Sequence, residues 1–347
     1  MTQSASPTSS GRRVVMIVGS GRSGTSVMAC TLQQLGMRVP APEVPPDATN
    51  PKGFGESQWL VDFHDRLLQR ANVTVSDARP RAWFATSKQS TNERFRRQAS
   101  TWLEGQFEDA DEVVLKDPRL VWFLGLWESA ALHVGVTPVF ISMLRPPAEV
   151  IGSKHHHYSS RVSLESRAAS WVNLVLHTER ATRGKARAFV RYHDLLSDWT
   201  VPVHHLGEEF GLDAVLSASA KDLRGVYELI DPSLYRVRST DVEVPIRGDL
   251  KSLMDGTQEL AERLADGKDD SDAHDLSDRL RTDYLDLYEQ SEAIADSTTQ
   301  AVGRKLRKRH ARALDQALTQ AGGQEREPAS AVEPPPRRQR KFRRGGS

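Results

Sequence analysis

Four short apolar runs stand out along an otherwise mixed chain: Val14-Val15-Met16-Ile17-Val18, Val113-Val114-Leu115, the stretch from Thr137 to Leu144, and Ala188-Phe189-Val190-Arg191-Tyr192. The first three are nearly continuous rather than alternating, the pattern of strands buried on both faces. Between them the spacing turns helical; Trp59 or Leu60, Phe63 and Leu67 mark one amphipathic stretch. Strands alternating with helices predict an α/β domain, a three-layer sandwich with a central parallel β-sheet. After residue 250 the pattern changes. Leu253, Leu260 and Leu264, then Leu280, Tyr284 and Leu287, fall at helical spacing on either side of the acidic link 266–272, predicting a helical hairpin. The expected organisation is a disordered N-terminus (1–11), an α/β domain (12–250), a C-terminal helical extension (251–300) and a basic, largely disordered tail (301–347).

Between the first apolar run and a helical stretch lies Gly19-Ser20-Gly21-Arg22-Ser23-Gly24-Thr25-Ser26. A glycine-rich turn at a helix N-terminus exposes unpaired N–H groups and partial positive charge, so it predicts a phosphate-like ligand. Three kinds of loop fit. A triphosphate loop would need Lys after Gly24, where Thr25 stands. A dinucleotide fingerprint would need an acidic residue closing a second strand; Glu43 has the distance but sits among Pro40, Pro42, Pro45 and Pro46. The third kind carries its cation inside the loop, at Arg22, ahead of Ser23-Gly24-Thr25. A plain strand-to-helix turn is the bland alternative.

Two further strand ends bear charge. Arg145 closes the third run before Pro146-Pro147, and Ser153 follows eight residues later within the helix those prolines start. Lys116-Asp117-Pro118-Arg119 closes the second. In an open parallel sheet, ligands bind beyond the carboxyl ends of strands, so one fold would gather Arg22, Lys116 and Arg145 around one polyanion.

These segments together resemble the sulfotransferases that use 3′-phosphoadenosine 5′-phosphosulfate (PAPS). Arg22-Ser23-Gly24-Thr25 is similar to their 5′-phosphosulfate loop, and residues 145–153 to their 3′-phosphate motif. Lys116-Asp117-Pro118 resembles the segment whose lysine approaches the sulfuryl group, and residues 50–56 a Pro-Lys-Gly-aromatic-x-Glu segment of bacterial members. Tyr192-His193-Asp194-Leu195 looks like a further family segment, and the likeness spans roughly residues 12–250. The resemblance implies a P-loop NTPase-like sulfotransferase fold. It implies PAPS as co-substrate, without a metal, held by Gly21, Arg22, Ser23, Gly24, Thr25, Ser26, Arg145 and Ser153. Catalysis would rest on Arg22, Lys116 and Glu56, with Glu56 as general base and His64 as the second candidate. The acceptor would be a hydroxyl on a carbohydrate, glycolipid or natural product. The rival is a P-loop ATP-dependent kinase or nucleotide-binding module, with Asp117 as a candidate magnesium ligand.

Composition adds bounds. Nothing approaches a membrane span or a secretory signal, and the single cysteine, Cys30, reads as a small core residue, so a cytoplasmic setting is expected. There is no thiolate cluster or His-Glu-x-x-His, and the three histidines 155–157 diverge on a helix. Trp83, Phe84, Trp102 and Trp171 are candidates either for stacking on a ring or for the core. Charge is the asymmetry. From 301 onward there are 13 Lys/Arg against 4 Asp/Glu, and since the whole chain is +1, residues 1–300 carry −8. Val302, Leu306, Leu314 and Leu318 predict a short basic helix, followed by a disordered polybasic run at 337–344. Such a tail either contacts an anionic membrane or an acidic partner through charge or simply solubilises the chain end. No recognition helix or aromatic-interleaved basic sheet points to specific nucleic-acid binding.

Overall fold

The computed structural model describes residues 11–48, 50–157, 162–230 and 245–323. Strand β1 (Arg13–Val18) leads through residues 19–24 into helix α1 (Thr25–Gln34); α2 (Gln58–Ala71), α3 (Ala82–Ser90) and α4 (Glu93–Gln106) precede β2 (Glu112–Lys116). A turn of 3-10 helix, Leu120–Phe123, enters α5 (Leu124–His133), followed by β3 (Thr137–Leu144), α6 (Pro147–His157), α7 (Leu164–Thr182) and β4 (Arg187–Arg191). Then come α8 (Tyr192–Ser197), α9 (Thr200–Phe210), α10 (Asp213–Leu216), α11 (Ala220–Leu229), α12 (Gly248–Ala265) and α13 (Ser271–Gly323).

The four strands pair in parallel in the order β2-β1-β3-β4. Their registers align the carboxyl ends: Ile17 lies between Lys116 and Ile141, and Leu144 pairs with Arg191. From β1 the chain goes to β2 on one side and later to β3 on the other. The crevice beyond the end of β1 is therefore a topological switch point. The loop at 19–24, Lys116 and Arg145 all emerge there.

Alternation along β1 splits the core into two layers. Val14, Met16 and Val18 pack with Leu60, Phe63, Leu103 and Trp127 on one face, while Val15 and Ile17 pack with Met28, Leu32, Leu195 and Leu206 on the other. The α/β sandwich expected from the apolar runs is thus what forms. Cys30 is buried in α1 with its thiol pKa pushed up to about 11, mainly by burial. Tyr192, read as a strand residue, instead opens α8.

A third apolar cluster joins α6 and α7 (Val150, Ile151, Trp171) to α12 and the start of α13 (Leu253, Leu260, Leu280, Tyr284). Residues up to Glu289 form one compact unit, and those from Gln290 a second. The boundaries drawn at 250 and 300 therefore fall inside α12 and α13, because the apolar side of the hairpin is buried in the same unit as the sheet. The expected basic helix is the later part of α13; the polybasic run at 337–344 and residues 1–10 lie outside the described residues. No helix among the described residues is long and apolar enough to cross a membrane.

Candidate functional site

Residues 19–24 turn tightly, with Ser23 N–H donating to Ser20 O at 3.0 Å. Gly24 caps α1 at φ 93°, and a Cβ there would stand 2.2 Å from Cδ2 of Tyr192. Glycine lets the loop and the Tyr192 ring share that space. Arg22 holds φ 78°, a left-handed conformation that costs a non-glycine residue energy and is therefore kept by its surroundings. No side chain caps α1 and its first turn has no acid, so its amide donors are open to an anion. Within the loop, the Ser23 hydroxyl is buried and makes no hydrogen bond.

Three side-chain tethers hold this loop to the rest of the site. Lys116 Nζ, at the end of β2, donates to Ser26 Oγ at 2.9 Å; Arg22 Nε donates to Ser153 Oγ on α6 at 3.1 Å; Lys154 Nζ, also on α6, donates to Ser20 Oγ at 3.0 Å. Arg145 completes the ring: its Nη1 donates to Arg22 O at 3.1 Å, its Nε to Glu149 Oε2 at 2.8 Å, and its guanidinium lies over the Tyr192 ring at 4.9 Å. The fold thus brings Gly21, Arg22, Ser23, Gly24, Thr25 and Ser26 together with Lys116, Arg145 and Ser153.

Glu56 arrives from the segment before α2. Val44 N–H donates to Glu56 O and Gln58 N–H to Pro42 O, each at 2.8 Å, which pins the segment on both sides. Gly55 (φ 60°) lets it cross α1, since a Cβ there would meet that of Ala29 at 2.7 Å. The carboxylate is buried and accepts a short hydrogen bond from Lys116 Nζ through Oε1. Burial raises its pKa above the usual carboxylate range, and Lys116 opposes that rise only in part. Burial thus favours the protonated form of this carboxyl while the adjacent cation favours the charged one.

His64 has a different task. It is fully buried, its Nδ1 is 2.7 Å from Asp117 Oδ2, and its Nε2 accepts from Trp127 Nε1 at 2.7 Å. Trp127 can only donate, so Nδ1 carries the imidazole proton and gives it to Asp117. With both nitrogens used inside the core, His64 does not serve as a base. The other oxygen of Asp117, Oδ1, accepts from Arg119 N–H and Nη1. Burial works against the Asp117 charge, but the His64 and Arg119 contacts prevail and hold its pKa at about 2. Asp117 is thereby a fully engaged anchor of the β2 end, not an open magnesium ligand.

Lys154 escaped the sequence reading. It is buried, and among the described residues its Nζ meets Ser76 Oγ, at 3.3 Å, besides Ser20. Burial, with Arg167 adding to it, lowers its pKa to about 8. Among the described residues this buried ammonium is held by hydroxyls and no carboxylate, which leaves positive charge beside the loop. The available signal was its isolation, as the only formally charged residue between Glu149 and Arg161. His155, next to it, is exposed, and the side chains of His156 and His157 lie outside the described residues.

Of the aromatic candidates, Trp83 stacks on Trp122 at 3.8 Å, Trp102 on Trp59 at 4.3 Å, and Trp171 is buried; these are packing residues, while Phe84 is 72% exposed. A cavity beside the loop is walled by Gly19, Ser23, Arg145, Trp171 and Phe189. Among the described residues no group of three or more His, Cys, Asp or Glu is placed to hold a metal ion.

No protein-family model matches the chain, and no curated protein does. Among solved structures, it is similar to the sulfotransferase domain of the olefin synthase of Synechococcus PCC 7002, at 18% identity and a TM-score of 0.43, over 76% of this chain and 98% of that one.

Proposed function

We propose that this chain is a PAPS-dependent sulfotransferase that moves a sulfuryl group to a hydroxyl of a carbohydrate, glycolipid or natural-product acceptor. The observation that carries the reading is the convergence on one glycine-rich loop of cations from β2, from the end of β3 and from α6. Arg22, Lys116, Arg145 and Lys154 together exceed the two carboxylates among them, Glu56 and Glu149, so the site asks for a polyanion. The orphaned Ser23 hydroxyl and the open N-terminus of α1 supply neutral donors for it. PAPS meets that demand with phosphates at two positions. A cytoplasmic setting belongs with this reading, since the donor is made there.

The chemistry follows from charge movement. Transfer is in line and loose: the acceptor oxygen bonds to sulfur as the bond from sulfur to the 5′-phosphate oxygen breaks. The leaving phosphate gains charge, which the α1 amides, Arg22, Thr25 and Ser26 stabilise. Glu56 takes the acceptor hydroxyl proton. Once it is neutral it releases Lys116, whose ammonium then balances the oxygens of the moving sulfuryl group. The Glu56–Lys116 pair couples proton uptake to charge stabilisation in one step.

The test is calorimetric titration with 3′-phosphoadenosine 5′-phosphate, against adenosine 5′-monophosphate and against ATP with magnesium. Metal-independent binding of the bisphosphate, weakened in Arg145→Ala, is the expected result. Binding of ATP only with magnesium, and none of the bisphosphate, overturns the proposal in favour of a kinase.

A further inference from the structure

The later part of α13 carries a row of apolar side chains at a spacing of four or eight: Ile294, Val302, Leu306, Leu314 and Leu318, all more than half exposed. Each step of four residues advances about 40° around a helix, so the row from Val302 to Leu318 sweeps about 160°. Ala313, Ala317 and Gly303 fall within that sector. The far side holds Arg304, Lys305, Lys308 and Arg312; Arg309 borders the apolar sector beside Val302, and Arg307 and His310 lie within it. Residues 301–319 thus contain six Lys/Arg and one acid, Asp315.

A partner for this surface must satisfy both halves. A second helix in a coiled coil needs a narrow seam repeating every 3.5 residues, and a row spaced by four winds out of such a seam within two turns. Nucleic acid would use the cations and leave the row of Val302, Leu306, Leu314 and Leu318 in water. A lipid surface takes the wide apolar sector into the acyl boundary while the flanking cations lie among anionic headgroups, and Arg307 reaches them with its long side chain.

We propose that residues 301–319 form an interfacial helix that binds anionic lipid membrane, with Val302, Leu306, Leu314 and Leu318 inserted and Arg304, Lys305, Lys308, Arg309 and Arg312 at the phosphate level. Residues 1–300 carry a net charge of −8, so attraction to an anionic surface comes from the chain beyond them, and within it this helix joins net charge to an apolar sector. The inference is independent of the reaction assigned to the loop.

Flotation of the full-length protein with vesicles of phosphatidylcholine alone, and of phosphatidylcholine with about 30% phosphatidylserine, tests it. The expected result is partition onto the anionic vesicles only, weakened at least about tenfold by raising salt several-fold and by Lys305→Glu/Lys308→Glu/Arg309→Glu. Leu306→Ser/Leu314→Ser/Leu318→Ser, all exposed positions outside the core, should lose binding to a similar degree with the fold intact by circular dichroism. Absence of binding to anionic vesicles overturns the proposal. Binding unchanged by the leucine substitutions also does, since the contact would then be charge alone. So does concentration-dependent self-association abolished by those substitutions, which would make a second copy the occupant.

Discussion

Replacing Lys154 with Met separates a binding role from a structural one, because the two predict opposite changes in stability. Lys154 is buried with no carboxylate partner among the described residues, and burial lowers its pKa to about 8 from the ordinary 10.5. Between those values the unfolded chain holds one proton more than the folded one, so folding stability rises with pH across that window. At pH 7 the lysine is charged in both states, and the cost of keeping it charged in the fold is fully present, on the order of 3 kcal/mol. Met has a similar length and no charge, but it leaves the hydroxyls of Ser20 and Ser76 without their donor, which costs about 1–2 kcal/mol. The net expectation is that Lys154→Met is more stable than the wild type by about 1–2 kcal/mol at pH 7, with the advantage shrinking as pH rises from 8 to 10.5.

On the sulfotransferase reading, bisphosphate affinity moves the other way. A charge-assisted hydrogen bond to phosphate is worth about 1.5–3 kcal/mol, so Lys154→Met should bind 3′-phosphoadenosine 5′-phosphate about 10- to 150-fold more weakly. Wild-type affinity should itself fall above pH 8 as the free ammonium loses its proton, and the variant should lack that step. Calorimetry at pH 7 and 9 measures the affinity, and urea unfolding measures the stability. A variant that is less stable and binds undiminished refutes the reasoning.

Glu56→Gln should slow sulfation about 100- to 10,000-fold while bisphosphate binding persists, a split read by comparing turnover with calorimetry. Equal losses in both would make Glu56 a structural partner of Lys116. Gly24→Ala should abolish bisphosphate binding, because φ 93° and the Tyr192 ring leave no room for a Cβ; unaltered titration would show that the loop is not the site. Asp117→Asn should cost about 2.5 kcal/mol in urea unfolding, the free-energy equivalent of holding its carboxyl at about 2 against an ordinary 3.8, while Arg119 keeps Asp65 as a partner. With Asp117 at about 2 against an ordinary 3.8, its contribution is complete above pH 4 and lost as pH falls through 2. Wild type and Asp117→Asn should therefore converge in stability on acidification.

The strands were legible because the β1–β3 runs are buried on both faces and written in nearly unbroken apolar residues, which few alternatives explain. The loop was legible because a tight turn against Met143 O and Tyr192 tolerates only glycine at positions 19 and 24. Contacts between distant elements were not. Nothing near His64 in the chain says that it meets Asp117, 53 residues away, and Trp127, so its enclosure in the core emerges only with the fold. Lys154 is the same case in reverse. A lysine on an amphipathic helix normally faces water, and only the packing of α6 against the loop turns this one inward. The boundaries drawn at 250 and 300 cross α12 and α13 for a related reason: apolar spacing in α12 reports that one side is buried, not what buries it.

The distribution of charge around the loop bears on how the site is held. A triphosphate loop gathers its charge in one lysine following its last glycine. Here Thr25 occupies that place and the cations come from outside, Lys116 by way of Ser26 and Lys154 by way of Ser20. Arg22 projects from the loop itself at the cost of a left-handed backbone, with its carbonyl held by Arg145 and its guanidinium by Ser153. Lys116, Lys154 and Arg22 each sit on an element other than the one that carries the hydroxyl partner. β1, β2, β3 and α6 must all be docked before the positive field exists. The site is therefore a product of the tertiary fold rather than of a local motif, so substitutions in the β2 anchor around Asp117 should weaken anion binding without touching the loop.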